Sequence, residues 1–225
     1  MKLNELLGDP SWLFDLGFPI QSIIEPRSVM KPERLEWELG DECRVPPLSS
    51  LSSEPRFADV SLAWSDAGLF IHATIQTKGA KVSNAPSQAL FFTFYLDTRW
   101  SPGVHRATNY CHRFEFFLNR PPTTQLVRGH GELSTIQRAR DFPTAIHPTD
   151  IAVGTLKREF GYEIKAFLKA DTLTGFEPRE FQEIGVFYVI NDVLLGSQCM
   201  ARTRQSPFFE DPSLWCRGKL IQPIA

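Results

Sequence analysis

The sequence is short of several things, and each shortage removes a class of function. No run of 18 apolar residues occurs in the 225-residue chain, so no helix is expected to span a membrane. Residues 1–20 carry one Lys with Glu5, Asp9 and Asp15, and no unbroken apolar stretch. That is not the pattern of a secretory signal, so the expected location is the cytoplasm. The four cysteines, Cys43, Cys111, Cys199 and Cys216, include no C-x-x-C pair and no histidine at finger spacing. Neither structural zinc nor a disulfide framework is expected from them. There is no G-x-S-x-G elbow, no P-loop and no G-x-G-x-x-G turn, and so no catalytic motif. A net charge of −2 offers no global attraction to nucleic acid or to acidic membranes. Lysine is scarce, with 8 Lys against 16 Arg. A surplus of planar guanidinium groups is a mild pointer to anionic contacts, and ordinary surface usage is the favoured reading.

What is plentiful is phenylalanine and proline, 18 and 17 residues. Phe suits half-buried pleated surfaces and Pro interrupts helices, so strands and structured loops are favoured over a bundle. Period two governs the chain from Phe57 onward. Val60, Leu62 and Trp64 share one face. The turn Ser65-Asp66-Ala67-Gly68 leads to Leu69, Ile71, Ala73 and Ile75, so a hairpin is expected. Ala89–Asp97 is apolar on both faces and reads as a central strand. Phe114 and Phe116 pair on the next one, followed by Tyr162, Ile164, Ala166 and Leu168, then Ile184, Val186, Tyr188 and Ile190, and Leu214–Ile221 closes the chain. A helical turn is expected at Ala170–Leu173. Without intervening helices of ordinary length, the pattern predicts an all-β fold, an antiparallel β-sandwich of jelly-roll or immunoglobulin-like type with few short helices. Residues 1–50 hold six prolines, together with Trp12, Phe14, Phe18 and Trp37. They are read as a proline-rich segment packed on the main domain, with a short helix near Leu3–Leu7 and extended pieces at Ser22–Glu25 and Arg34–Leu39. Residues 51–225 form the sandwich, and Leu48–Ser53 is the linker candidate.

The order of these pieces resembles the carbohydrate-binding module family 9-like, or DOMON-like, β-sandwich. The resemblance is carried by Phe57–Trp64 and Gly68–Ile71, Phe94–Arg99 ending a strand in Asp97, Phe114–Phe116, and Tyr162–Leu168 before Leu173. Glu183–Val186 with Asn191-Asp192, and Pro212–Trp215 before Leu220, complete it. It spans roughly residues 55–222. It implies a non-catalytic domain that binds a carbohydrate or related small polar ligand. The family's paired sugar-stacking tryptophans have no matching positions here, so none is carried over. Haem binding in DOMON-type relatives uses axial Met and His, and this chain has only Met1, Met30 and Met200. No cofactor is expected. The other functional classes weighed are a protein-interaction or scaffold domain and, less favoured, a glycoside-acting hydrolase.

The most distinctive stretch runs from Asp97 to Phe117. Between Arg99 and Arg140 there are seven Arg, no Lys and two acids, Glu115 and Glu132. The expected ligand site is the loop following the Ala89–Asp97 strand, with Arg99, Trp100, His105 and Arg106, and with Arg113 on the next strand. Planar guanidinium groups and an aromatic face can hold a polar ring by hydrogen bonds and stacking. The competing account has Arg99 and Arg113 paired with Asp97 and Glu115 while Trp100 caps the sandwich. His105 and His112 are too few for a transition-metal site. Asp59, Asp66 and Asp97 show no calcium-loop pattern, which leaves calcium open.

Overall fold

The structure is a computed structural model. It describes residues 17–23, 34–46, 56–77, 90–117, 127–192, 195–200 and 207–222. The Leu3–Leu7 helix, Trp12, Phe14 and the Leu48–Ser53 linker lie outside the described residues.

The described chain is all-β, as its period-two pattern predicts. Its twelve strands in chain order are β1 (Phe18–Ser22), β2 (Ala58–Ser65), β3 (Gly68–Gln76), β4 (Leu90–Asp97), β5 (Cys111–Phe117), β6 (Val127–Arg128), β7 (His130–Ser134), β8 (Ile151–Arg158), β9 (Gly161–Lys169), β10 (Glu183–Asp192), β11 (Gly196–Cys199) and β12 (Cys216–Ile221). The expected helical turn is a single 3-10 turn at Ala170–Thr172. The alternation puts Val60, Leu62, Leu69, Ile71, Phe92, Phe94, Phe114, Phe116, Ile164, Leu168, Val186 and Tyr188 in the core, each at most 2% exposed.

The sheet is not wholly antiparallel. The strands run in one hydrogen-bonded path, β6-β8-β9-β3-β2-β1-β12-β10-β4-β5-β7, with β11 beside β10. β1 is the exception to antiparallel pairing. It lies parallel to β12 over Phe18–Gln21 and to β2 at Gln21–Ser22, so it joins the two halves of the path. A strand wedged between two others that run in the same direction has the same sense toward both, here parallel, and no alternation pattern reveals which. The ends of the path also meet. β6 pairs with β8 and β7 pairs with β5, yet only Gly129 separates them, and its N–H donates to Val153 O at 2.6 Å. The result is one mixed, nearly barrel-shaped sheet. Side chains would obstruct this closure. A Cβ on Gly129 would stand 2.7 Å from Val153 Cγ1, and one on Gly131 would stand 2.6 Å from Ile151 Cγ2.

One gap in the sheet is filled by a side chain. Gln198 on β11 is 2% exposed and spans to the start of β2. Its Oε1 accepts Phe57 N–H and Ala58 N–H at 2.8 and 2.9 Å, and its Nε2 donates to Ala58 O at 2.8 Å. Buried backbone groups must be paired, and here an amide replaces a ladder partner.

Two segments cover outward-facing aromatic residues. Leu35 and Trp37 lie on Phe70, Phe167, Ala63 and Ala152, with the Trp37 and Phe70 rings edge-on at 5.3 Å. Lys165, buried beneath this cover, donates to Trp37 O and to Glu38 Oε1, both at 2.7 Å. On the opposite wall, Phe208 packs on Phe187 at 4.3 Å and Trp215 on Tyr95 at 5.5 Å.

Candidate functional site

The loops 98–110, 135–150 and 170–182 leave β4, β7 and β9 and enter β5, β8 and β10, which places them at one end of the sheet. Residues 207–215 join them from the side. Each expected site residue sits in this region, and each has a partner that defines what it can do.

Asp97 ends β4 and is 3% exposed. Its carboxylate does not pair with the Arg99 guanidinium. It accepts the backbone N–H of Arg99 at 3.0 Å and of Ser101 at 3.1 Å, the two residues that flank Trp100. Burial pushes its carboxyl above the usual range, and those two N–H groups oppose the shift. Trp100 is thereby held at φ +37°, a left-handed conformation that is an outlier for a bulky side chain. Its half-buried indole lies over Gly185 of β10, where a Cβ would stand 3.3 Å from Cε3. Gly185 is the cross-strand partner of Asp97, so one register position supplies both the anchor and the space for the indole.

Arg99 precedes Trp100 in the same loop. Its guanidinium stacks 3.5 Å from the Phe181 ring centroid and 5.3 Å from that of Tyr110, and Nη2 meets Glu177 Oε2 at 3.1 Å. Its Nε is buried without a hydrogen-bond partner. Arg99 thus packs with Phe181, Tyr110 and Glu177, while Trp100 packs on Gly185. His105 and Arg106 are placed elsewhere around the rim, as ties between loops, and Arg113 on β5 reaches the loop that follows β7. His105 Nδ1 lies 3.1 Å from both Asp211 Oδ2 and Ser213 Oγ. Arg106 Nε donates to Arg138 O at 3.0 Å, and Arg138 reaches Glu210 at 3.3 Å. Arg113 pairs with Glu115 at 2.5 Å and donates to Thr135 O at 3.2 Å.

His112 does not approach His105. It is fully buried: Nδ1–H donates to Tyr110 O at 3.0 Å and Nε2 accepts Thr174 N–H at 3.2 Å. Burial pushes its pKa down to about 4, so the ring is neutral in this role. Among the described residues, no group of three or more His, Cys, Asp or Glu side chains is placed to hold a metal ion. The described residues contain no helix long and apolar enough to cross a membrane.

A cleft of about 240 Å³ opens beside this platform, walled by β7 and the 135–146 loop. Its floor includes Cys111, Leu133, Ile136, Ala139 and Ile146, with Asp141 and Phe142 also lining it. Sequence reasoning had no signal for Phe181, Glu177 or Gly185, which meet Arg99 and Trp100 from strands and loops distant in the chain. Asp97 was legible as a strand end, but its grip on the two peptides around Trp100 was not.

The fold is similar to that of a carbohydrate-binding module family 9. Two solved structures of such a module from Caldicellulosiruptor kristjanssonii share it. One is in complex with glucose, with a TM-score of 0.60 over 93% of this chain and 97% of that one. The other is in complex with cellotriose, with a TM-score of 0.55 over 93% of this chain and 100% of that one. Both are 13% identical to the present sequence. No family model and no curated protein matches the chain.

Proposed function

We propose that this chain is a non-catalytic carbohydrate-binding domain whose ligand stacks on Trp100. The observation that carries the reading is the backbone of Trp100: a bulky residue held at φ +37° by a buried carboxylate, with its indole half-exposed. Strained conformations persist where the surroundings over-determine them, and they concentrate at ligand sites. An indole fixed in place stacks on a sugar face at little entropic cost. Arg99, the preceding residue of the loop, carries hydrogen-bond donors, while His105 and Arg106 fasten the loops that frame the site and Arg113 ties β5 to the 135–150 loop. The similar structures hold glucose and cellotriose, so neutral hexoses and short β-glucans are the first ligands to try.

The test is calorimetric titration with glucose and cellotriose, with a panel of acidic sugars alongside, on the wild type and Trp100→Ala. A binding role predicts that the variant keeps its thermal stability without ligand and loses ligand-induced stabilisation. That stabilisation is about 2.7 kcal/mol at a hundredfold excess over Kd. Silence of the wild type toward all these sugars refutes the reading. So does a variant destabilised equally with and without ligand, which would make Trp100 a cap.

A further inference from the structure

We propose that the cleft beside β7 is a second small-ligand site, distinct from the Trp100 platform, which takes a neutral aromatic ring carrying a hydroxyl group: a phenol. Size comes first. A volume of about 240 Å³ lies below the ~300–1,000 Å³ of sites for drug-sized ligands, so the cleft holds about one six-membered ring. Its floor of Cys111, Leu133, Ile136, Ala139 and Ile146 is apolar, and beside Asp141 the polar side chains of its lining are Ser134, whose hydroxyl is committed to Glu115, and Thr135. A pyranose pressed onto that floor would bury more hydroxyl groups than these few polar side chains can pair, which costs free energy. An aromatic ring incurs no such penalty.

The rim sets the polarity of the ligand. Phe142 lines the cleft yet is 58% exposed, one of three large apolar side chains so exposed among the described residues. Its ring can receive another ring edge-on. Next to it, Asp141 accepts the Phe142 N–H through Oδ1 at 2.8 Å. An ionised carboxylate is an acceptor only and has capacity for further donors, so it selects a ligand that donates. Arg138, on the cleft's own loop, is paired with Glu210, but Arg106 stands on the adjoining loop and exposed Arg140 precedes Asp141. Their positive charge disfavours an ammonium donor and leaves a neutral hydroxyl. The Cys111 thiol in the floor is held protonated by burial, with its pKa pushed up to about 12, so binding is reversible and not covalent.

The experiment is a titration of the full chain with 4-fluorophenol followed by fluorine NMR, with no sugar present. A ligand of this size is expected to bind saturably with Kd on the order of 1 mM. Ala145→Trp, at an exposed position on the rim, and Ala139→Leu, in the floor, should each weaken binding at least about tenfold. The rim variant remains informative if the floor variant fails to fold. Benzylamine and benzoate should bind more weakly than the phenol. No saturable binding, binding untouched by the rim variant, or tighter binding of benzylamine overturns the assignment. So does competition by glucose or cellotriose, which would merge the cleft with the Trp100 site. Because no sugar is required, failure here is separable from failure of the carbohydrate reading.

Discussion

His112 makes the folded state sensitive to acid, and the size of the effect follows from its surroundings. Its ring stacks parallel on Phe114 at 5.8 Å, donates to Tyr110 O and accepts from Thr174 N–H. A proton added at Nε2 would face the Thr174 N–H and have nowhere to bond. The folded pKa is about 4 against an ordinary 6.5. Between those values the unfolded chain binds a proton that the folded chain does not, so stability falls as pH falls below about 6.5 and the loss levels off below the folded pKa. At ~1.36 kcal/mol per pKa unit the full loss is about 3 kcal/mol, of which about 2.4 kcal/mol falls between pH 7 and pH 4.5. Urea unfolding at these two pH values, for the wild type and His112→Asn, isolates the contribution, since the remaining titratable groups are common to both. The Asn amide keeps a donor for Tyr110 O, so the variant should fold. It should lose about 1–3 kcal/mol at pH 7 for the orphaned Thr174 N–H. Its stability difference between the two pH values should be smaller than that of the wild type by about 2 kcal/mol. Identical pH dependence in the two proteins would refute the argument.

Three further outcomes are expected. Gln198→Leu orphans Phe57 N–H, Ala58 N–H and Ala58 O, and should cost roughly 3 kcal/mol or more in denaturant unfolding; a loss under about 1 kcal/mol would mean that water or relaxation replaces the amide. Phe94→Ala and Phe116→Ala, both fully buried, should each cost ~3–5 kcal/mol by the same measurement, and a loss under about 1 kcal/mol would place those rings outside the core. Gly185→Val should push the indole off β10, shift the tryptophan emission and abolish sugar binding while the far-UV circular dichroism stays β-type. Unchanged sugar affinity in that variant would detach Trp100 from the ligand site.

Period-two alternation is local information, carried by neighbours in the chain. For that reason β2, β3, β4, β5, β9 and β10, and their inward faces, were legible from residues such as Phe92, Phe94, Phe114 and Phe116. The loop holding Arg99 and Trp100 stood out for a similar reason, because its aromatic and guanidinium groups lie in one Pro- and Gly-shaped stretch. Pairing between distant segments has no such signature. The parallel insertion of β1 between β2 and β12, the closure at Gly129 and the amide bridge of Gln198 depend on which strands meet in space. The same holds for the polar side chains. A guanidinium or imidazole takes the acceptor that the fold brings within about 3 Å, and for His105 that is Asp211, 106 residues away. The sequence alone determined the all-β class, the inward faces and the loop to inspect. The hold of Asp97 on the Arg99 and Ser101 N–H groups and the Arg113–Glu115 pair are local contacts, but only tertiary structure decided that Trp100 rests on Gly185 and that His105 and Arg106 tie loops together, because those contacts join parts of the chain that no local pattern connects.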